Sequence, residues 1–277
     1  MIKVWVSITR PLNILITACA VFIGALLTGT LSPLSKIILA LCSAAFICAG
    51  GNVLNDYFDV DIDKINKPRR PIPSGKIQKN NALIYSVTLL ACGFLLAFFI
   101  SLQAVLLAAI AVVLLVSYNA YVKRRTGIIG NMLISMTGAL PIAYGGIATG
   151  KIHGILFPTV FAFLLHLGRE IIKDIEDVTG DRLAKSCSIP TRFTPQVSYY
   201  IGFIPLFFLV IITPLPFIFK LYNVFYLPLV LLLVNLPLLI SFFFFRKKLD
   251  TANLHKLSNI LKLEMVFGLL SLIIGTL

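Results

Sequence analysis

The stretch that decides the fold reads NDYFDVDID and covers residues 55–63. Three of its acids, Asp56, Asp59 and Asp63, have the spacing i, i+3, i+7, which places them within about 60° of one another on one helical face. Asp61 points away from this face and is expected to be solvated. Because the stretch ends a long apolar run, it places a row of acids at the end of a predicted membrane helix. Charged side chains are costly there and usually mark function.

A second acidic stretch repeats this pattern 118 residues further on. It reads DIEDVTGD and covers residues 174–181, so that Asp174, Asp177 and Asp181 fall on the three acids of the first row. Nine of the 11 acidic residues of the chain lie in or beside the two stretches. Ordinary solvated helix ends are not expected to repeat in register, so both stretches are predicted to serve one function.

The repetition extends to the residues around the two acidic stretches. Asn52 falls on Glu170 under the same shift, and both residues extend their rows by one turn. A base-bearing loop follows each stretch and closes in a similar way, with Ile-Pro-Ser at 72–74 and Ile-Pro-Thr at 189–191. We therefore predict two related four-helix halves, at about 11–122 and 130–245, and an additional ninth helix at 258–277.

The composition places the chain in a membrane. Of its 277 residues, 58% are hydrophobic and only 13% are charged, and the mean hydropathy is +0.97. A soluble domain would carry about 25% charged residues, so soluble enzymes are excluded, and so is disorder. The five cysteines form no CxxC pair that would suggest a metal site or a disulfide framework. The prediction is an all-α membrane protein that forms a single polytopic domain over residues 1–277.

Nine apolar stretches have the length of about 20 residues that a spanning helix needs. They cover residues 11–31, 37–57, 82–101, 103–122, 130–149, 153–172, 197–219, 223–245 and 258–277.

The basic residues predict the orientation of these spans. If the N-terminus is cytoplasmic, 20 of the 24 lysines and arginines fall in cytoplasmic segments, three fall outside and one, Lys262, begins the last span, as the positive-inside rule requires. The C-terminus then lies outside the cell membrane, and both acidic stretches lie at its cytoplasmic face. Topology accounts for most of the net charge of +13, and no nucleic acid partner is expected.

Two facing rows of carboxylates predict a particular chemistry. Empty, they would repel each other, whereas Mg²⁺ ions and a diphosphate between them would neutralise the charge. Mg²⁺ prefers oxygen ligands and is often held by carboxylates together with substrate phosphate. An apolar cavity beside this site, open to the cytoplasmic side and to lipid, would accept a long hydrocarbon tail. The reaction class that needs both features is transfer of an isoprenoid from its diphosphate.

The two stretches also resemble a known pair of motifs. Residues 55–63 are similar to the NDxxDxxxD motif, and residues 174–181 to the DxxDxxxD motif, of the UbiA superfamily of intramembrane prenyltransferases. The resemblance extends over essentially the whole chain. It implies that Mg²⁺ and diphosphate are held by Asn55, Asp56, Asp59, Asp63, Asp174, Asp177 and Asp181. It also implies catalytic roles for Asp59, Asp63, Asp177 and Asp181, and for Lys123.

Lys123 matches the lysine of a YxxxK motif in this superfamily, but the spacing differs here. Tyr118 lies five residues before Lys123 rather than four, and Asn119 holds the expected position. The lysine remains a predicted phosphate contact. Further candidates for substrate contact are Arg10, Asn13, Asn52, Arg69, Arg70, Tyr144, Arg169, Glu170, Lys173 and Lys185.

Within the superfamily, the run GREIIKDIEDV at 168–178 is most similar to the archaeal digeranylgeranylglyceryl phosphate synthases. That similarity implies an isoprenyl diphosphate donor, a lipid-phosphate acceptor, contact with membrane lipids and no required protein partner. One alternative is a member of the superfamily that prenylates an aromatic or quinone-precursor acceptor. A distant alternative is a transporter with acidic ion sites in two repeated halves. A CDP-alcohol phosphotransferase is disfavoured, because its aspartates are packed into one motif.

Overall fold

The computed structural model describes residues 2–152, 154–183 and 185–276, and for Arg124 it describes the backbone alone. All regular structure in this part of the chain is helical, which confirms the predicted all-α class. The α-helices are α1 (Ile2–Ile8), α2 (Pro11–Leu26), α3 (Leu34–Phe58), α4 (Val60–Asn66), α5 (Lys79–Ala97), α6 (Leu102–Ser117), α7 (Lys123–Arg125), α8 (Gly127–Ala148), α9 (Leu156–Glu176), α10 (Val178–Leu183), α11 (Ile189–Arg192), α12 (Pro195–Ile212), α13 (Leu215–Ile218), α14 (Tyr226–Val230), α15 (Leu236–Phe245) and α16 (Thr251–Thr276). Two π-helical turns, Tyr118–Val122 and Leu231–Asn235, interrupt the sequence of α-helices.

The long helices identify a multi-pass membrane protein. Among the described residues, seven helices are long and apolar enough to cross a membrane, and an eighth span results if α1 and α2, which meet at 53°, are counted as one. Helix α9 has 21 residues but carries five charged side chains near its end, Arg169, Glu170, Lys173, Asp174 and Glu176. It differs in composition from the other spans because it ends in the second acidic stretch.

Two boundaries differ clearly from the predicted spans. Helix α16 begins at Thr251 rather than at 258, because a helix continues past the membrane edge as long as its backbone hydrogen bonds can form. A short helix, α1, precedes the first predicted span. The two helices join at Arg10, whose backbone is left-handed with φ 56°. Pro11 then begins α2, as proline commonly does at the first position of a helix.

Two glycines allow α2 and α8 to cross in direct backbone contact. A Cβ atom at Gly24 would lie 1.9 Å from the carbonyl oxygen of Ile142, and a Cβ atom at Gly145 would lie 1.9 Å from that of Val21. The arrangement is reciprocal: Gly24 lies three residues after Val21 on α2, and Gly145 lies three residues after Ile142 on α8. Small residues at such crossings are typical of membrane helices, which gain stability from close packing.

The two largest buried apolar clusters meet at this crossing. One contains side chains from α9, α12, α15 and α16, and the other contains side chains from α3, α5 and α6. Helix α2 contributes Ile23 to the first cluster and Val21 to the second. Helix α8 likewise contributes Ile142 to the first cluster and Tyr144 to the second. The crossing therefore joins the parts of the chain that the sequence divides into halves.

Candidate active site

Both acidic stretches lie where a long helix ends and a short one begins. Helix α3 ends at Phe58 and α4 begins at Val60, while α9 ends at Glu176 and α10 begins at Val178. The residue at each break is the central aspartate. Asp59 has φ −86° and ψ 3°, and Asp177 has φ −91° and ψ 3°. The two motifs thus share one backbone geometry, and each changes direction at its central carboxylate.

The two short helices bring the motifs together. Helices α4 and α10 pack against each other. Asn66 at the end of α4 donates its side-chain amide to the backbone carbonyl of Asp177, at 3.0 Å. Gly180 makes room for this contact, because a Cβ atom there would lie 2.5 Å from the Asn66 amide nitrogen. The motifs of the two halves therefore share one end of the helix bundle.

The outer acids of the first motif bind arginines. Arg10 and Arg70 both donate to Asp56, and the Arg70 contact measures 3.0 Å. Arg70 also donates to Asp63 at 2.6 Å. Burial raises the pKa of the Asp63 carboxyl, although the neighbouring Arg70 guanidinium opposes that shift. Arg70 therefore links two turns of the acidic row, and Arg10 attaches the first transmembrane region to it.

The central acid of the first motif is engaged by a lysine and an asparagine. Lys123 donates from Nζ to Asp59 and, at 3.1 Å, to the amide oxygen of Asn55. The Asn55 amide donates to Asp59 Oδ2 at 3.2 Å. Although burial by itself lowers the pKa of the Lys123 ammonium, the Asp59 carboxylate more than reverses this, so its pKa lies above its ordinary value. The other oxygen, Asp59 Oδ1, is buried and has no hydrogen-bond partner among the described residues.

A π-helical turn explains the unusual spacing of Tyr118 and Lys123. The turn covers Tyr118–Val122, and the backbone N–H of Lys123 bonds the carbonyl of Tyr118. A π turn holds one more residue than an α turn, so a spacing of five closes one turn. The Lys123 ammonium accordingly lies 5.8 Å from the centroid of the Tyr118 ring. The tyrosine and the lysine lie together despite the inserted residue.

The second motif is held by residues that sequence reasoning did not single out. Lys67 donates to both carboxylate oxygens of Asp177 at 2.7 Å, and Asn131 donates to Asp174 at 2.9 Å. Asn131 lies 118 residues after Asn13, so the shift that relates the motifs also finds it. Lys67 follows the first motif among several loop bases and has no distinguishing signal. Burial raises the pKa of the third acid, Asp181, and the charge of Asp177 adds to the effect.

Glu170 forms the centre of a further charged group on α9. Arg169 donates to it at 2.9 Å and Lys173 at 2.8 Å. Arg169 also donates from Nε to the carbonyl of Ser258 at 3.3 Å, which ties α9 to α16. Asn13 on α2 accepts a hydrogen bond from Lys262 of α16, at 2.5 Å.

These polar groups line one end of a cavity of about 620 Å³. Its remaining walls are largely apolar and come from α2, α3, α6, α8, α9 and α16. Such a combination of an apolar pocket with a few convergent polar groups is the usual form of a small-molecule site. The predicted site residues that line it are Arg10, Asn13, Asn52, Asn55, Asp59, Asp63, Arg70, Lys123, Tyr144, Arg169, Glu170, Lys173, Asp174, Asp177 and Asp181.

Three predicted site residues lie outside this lining. Asp56 is buried behind it, between Arg10 and Arg70. Arg69 and Lys185 are exposed at the surface. Asp61 is also exposed, as expected, but it lies in helix α4 rather than in a loop and pairs with Lys64 at 3.3 Å.

Two lining residues make contacts that bear on their predicted roles. The Asn52 amide donates to the backbone carbonyl of Thr9 at 2.9 Å, which holds the chain next to the Arg10 bend. The Tyr144 hydroxyl lies 2.9 Å from Ser43 Oγ. Among the described residues, no three histidine, cysteine, aspartate or glutamate side chains converge on one point. Asp59, Asp63 and Asp177 face cations, and Asp174 faces an amide.

A helical membrane bundle with paired acidic motifs at one end of an apolar cavity is the arrangement expected of intramembrane prenyltransferases. The model of the UbiA prenyltransferase family matches residues 14–263. Since this match covers most of the chain, the chain belongs to the UbiA prenyltransferase family and is an enzyme of that class.

Its relatives include several archaeal enzymes with one name. The digeranylgeranylglyceryl phosphate synthase of Saccharolobus solfataricus is 36% identical over 280 residues, covering 100% of this chain and 98% of the relative. That of Thermococcus kodakarensis is 35% identical, with coverage of 99% and 98%. A solved structure described as a digeranylgeranylglyceryl phosphate synthase in membranes is 32% identical and has a TM-score of 0.78, with coverage of 99% and 98%. A UbiA homologue from Aeropyrum pernix K1 shares the fold at 18% identity, with a TM-score of 0.73 over 92% of this chain and 96% of that one.

Proposed function

We propose that this chain transfers a geranylgeranyl group from geranylgeranyl diphosphate to the free hydroxyl of geranylgeranylglyceryl phosphate and releases diphosphate. The observation that carries the proposal is the convergence of both acidic motifs and their cations at one end of an apolar cavity. A prenyl diphosphate has the same two parts, an anionic head and an apolar tail. The full-length similarity to digeranylgeranylglyceryl phosphate synthases supports the choice of acceptor.

The residues at this end of the cavity fit Mg²⁺. Their oxygen donors are carboxylates and an amide, which are the ligands that Mg²⁺ prefers. Asp59 Oδ1 is a buried acceptor without a partner, and a cation would satisfy it. A UbiA homologue from Archaeoglobus fulgidus has been solved with GPP and Mg²⁺. We assign the metal to Asn55, Asp59, Asp63, Asp174, Asp177 and Asp181. When bound, Mg²⁺ would neutralise charge on the diphosphate as it leaves.

Asp56 has a different role in this proposal. It was predicted as a seventh ligand, but its carboxylate accepts from two guanidinium groups and does not line the cavity. We assign it to holding Arg10 and Arg70 in position.

The cations of the site bind the leaving group. Lys67, Arg70 and Lys123 each contact a motif carboxylate that faces the cavity. In the substrate complex their ammonium and guanidinium groups pair with phosphate oxygens, as charge-assisted hydrogen bonds favour. When the C1–O bond of the donor breaks, its electron pair stays on the diphosphate. Positive groups already in place stabilise that charge without reorganising.

The acceptor hydroxyl then forms the new C–O bond at C1 of the allylic cation, and its proton must leave. Glu170, a candidate base, already accepts from Arg169 and Lys173. We therefore assign the proton to an oxygen of the departing diphosphate. The apolar walls exclude water from the cation, and Tyr144 is part of the wall that surrounds the hydrocarbon chains.

The topology of the enzyme is part of the proposal. Among the described residues we count as spans the seven long apolar helices and the bent pair of α1 and α2, and we add α9, which would make nine. The basic residues favour a cytoplasmic N-terminus, an external C-terminus and an active site at the cytoplasmic face of the cell membrane. The cavity then opens to the cytoplasm and to lipid. The reciprocal crossing of α2 and α8 and the matched breaks at Asp59 and Asp177 support two related halves, followed by the last helix.

A single-turnover assay in detergent tests this function directly. It uses the full chain, Mg²⁺ and radiolabelled geranylgeranyl diphosphate, with geranylgeranylglyceryl phosphate and 4-hydroxybenzoate as separate acceptors. The expected result is transfer to the glyceryl phosphate with equimolar diphosphate release. Transfer only to 4-hydroxybenzoate would overturn the acceptor and retain the reaction class. The absence of both transfer and diphosphate release would contradict the proposal entirely.

A further inference from the structure

Lys262 differs from the other cations of the cavity in having no acidic partner among the residues that the structure describes. It lies on α16, lines the cavity, and donates from Nζ to the amide oxygen of Asn13 at 2.5 Å. Each of the other lysines and arginines in the described lining contacts a carboxylate, namely Arg10, Lys67, Arg70, Lys123, Arg169 and Lys173. An unpaired ammonium within a membrane helix is costly, so an anion is expected to join it.

The surroundings of Lys262 carry an excess of positive charge. The ammonium is close enough to be repelled by the charges of Arg169, Arg10 and Lys173. Arg10 is balanced by Asp56. Arg169 and Lys173 share one carboxylate, that of Glu170. Arg169, Lys173 and Lys262 thus carry three positive charges against the one negative charge of Glu170, and a phosphate monoester carries about −1.5 to −2 at neutral pH.

This group is distinct from the cations assigned to the diphosphate. Lys67, Arg70 and Lys123 contact the motif aspartates, Asp177, Asp63 and Asp59. The group of Arg169, Lys173 and Lys262 comes instead from α9 and α16, and these helices are joined by the bond from Arg169 to the Ser258 carbonyl. The cavity thus holds two separate clusters of cations, and the proposed reaction has two anionic substrates.

We propose that Lys262, together with Arg169 and Lys173, binds the phosphate monoester of the acceptor lipid, and that Asn13 positions the Lys262 ammonium. This inference rests on the proposed function, since it names the acceptor subsite of the same cavity. The three carbons of the glycerol unit keep the acceptor phosphate near its free hydroxyl. Its subsite must therefore lie at the polar end of the cavity, beside the diphosphate, which is where Lys262 lies.

Steady-state kinetics of Lys262→Gln test the inference, with the Michaelis constants for donor and acceptor measured separately in the full chain. The expected result is a rise of about tenfold or more in KM for geranylgeranylglyceryl phosphate, because the variant loses one charge-assisted hydrogen bond to the acceptor phosphate. The KM for the donor should change less than twofold. Turnover of geranylgeranylglycerol, which lacks the phosphate, should be the same in Lys262→Gln as in the wild-type enzyme. Lys256→Gln is the matched control, because Lys256 is exposed on the same helix and does not line the cavity.

Two more variants keep the test decisive if Lys262→Gln fails to fold. Lys262→Arg should keep the acceptor KM near the wild-type value. Asn13→Asp should raise it, because a carboxylate beside the ammonium competes with the phosphate. An unchanged acceptor KM in Lys262→Gln, or in Asn13→Asp where Lys262→Gln does not fold, would overturn the inference alone. A wild-type enzyme that does not use the phosphorylated acceptor would overturn the proposed function and the inference with it.

Discussion

Lys67 and Asp177 join the two acidic motifs. The Lys67 ammonium donates to both carboxylate oxygens of Asp177 at 2.7 Å. Lys67 follows the first motif, and Asp177 is the central acid of the second. The neighbouring Asn66 reinforces the connection through the Asp177 carbonyl. A base that follows one motif thus accompanies an acid of the other, at the end of the cavity where we place the diphosphate.

Lys67→Gln should therefore weaken use of the donor, whereas Lys64→Gln should not. Lys67 lines the cavity, but Lys64 pairs only with exposed Asp61 at the surface. A hydrogen bond to a charged group contributes about 1.5–3 kcal/mol, so kcat/KM for geranylgeranyl diphosphate should fall about tenfold or more. Steady-state assays on the two purified variants check this. Equal values for both would show that Lys67 does not reach the donor.

Asp59→Asn and Asp177→Asn should each reduce turnover by roughly 10²–10³, the range seen when a group that stabilises developing charge is removed. Both substitutions keep the shape of the side chain and remove its charge. Asp61→Asn is the control, because Asp61 is exposed and outside the cavity. The measurement is single-turnover transfer of label, with a thermal melt of each variant. Wild-type turnover in either motif variant would contradict the assigned metal site.

Metal removal should separate donor binding from folding. Geranylgeranyl diphosphate at about 100 times its Kd should stabilise the protein by about 2.7 kcal/mol through binding linkage. This gain should vanish in EDTA and return with excess Mg²⁺. Thermal unfolding in detergent with and without donor measures it. An equal gain in EDTA would mean that Lys67, Arg70 and Lys123 alone bind the diphosphate.

Gly24→Ala and Gly145→Ala should destabilise the fold without touching the charged site. Each added methyl would lie 1.9 Å from a backbone oxygen, so α2 and α8 would have to separate. Overpacking of this kind costs about 1–3 kcal/mol. Gly268→Ala, also in a spanning helix, is the control, because its added carbon would lie 3.9 Å from the nearest side chain. Thermal unfolding of the three variants compares them, and equal midpoints would mean that the helices do not cross as closely as described.

Glu264→Met should stabilise the protein. Both carboxyl oxygens of Glu264, on α16, are buried without a hydrogen-bond partner in the part of the chain that the structure describes, and an unsatisfied buried polar group costs about 1–3 kcal/mol. Glu264→Gln should bring less gain, because its amide also needs partners. Thermal unfolding ranks the variants. A lower midpoint for Glu264→Met would indicate that the carboxyl group binds a ligand or water in the cavity.

The sequence predicted the membrane class, most helix positions and the residues of both motifs. Composition and hydrophobic length predicted the membrane class and the helix positions, and the repeated acids predicted the two motifs. It did not predict the pairing of individual charges. Asp56 and Asp59 follow one spacing rule, yet Asp56 binds two arginines behind the cavity and Asp59 faces into it. The difference arises because Arg10 contacts Asp56 and Lys123 contacts Asp59, and both cations come from other parts of the chain.

Residue spacing along the sequence also does not predict where a helix departs from α geometry. Tyr118 and Lys123 are separated by one residue more than the family motif, and the π turn restores their contact. Nothing in the four residues between them predicts that turn, because π turns depend on the packing of the helix. The match of Asn13 to Asn131 under a shift of 118 was readable in the sequence, since it needs only the repeat.

The amino-acid sequence by itself determined that this protein is a helical membrane enzyme of the UbiA family with two matched acidic motifs. Those properties follow from composition, hydrophobic length and residue spacing along single helices. The tertiary structure was needed to show which cation accompanies each acid, and that Lys262 has no acidic partner among the described residues. These contacts join residues far apart in the sequence, as between Lys67 and Asp177 or between Asn13 and Lys262. They depend on how closely the helices pack, through crossings such as that of Gly24 and Gly145.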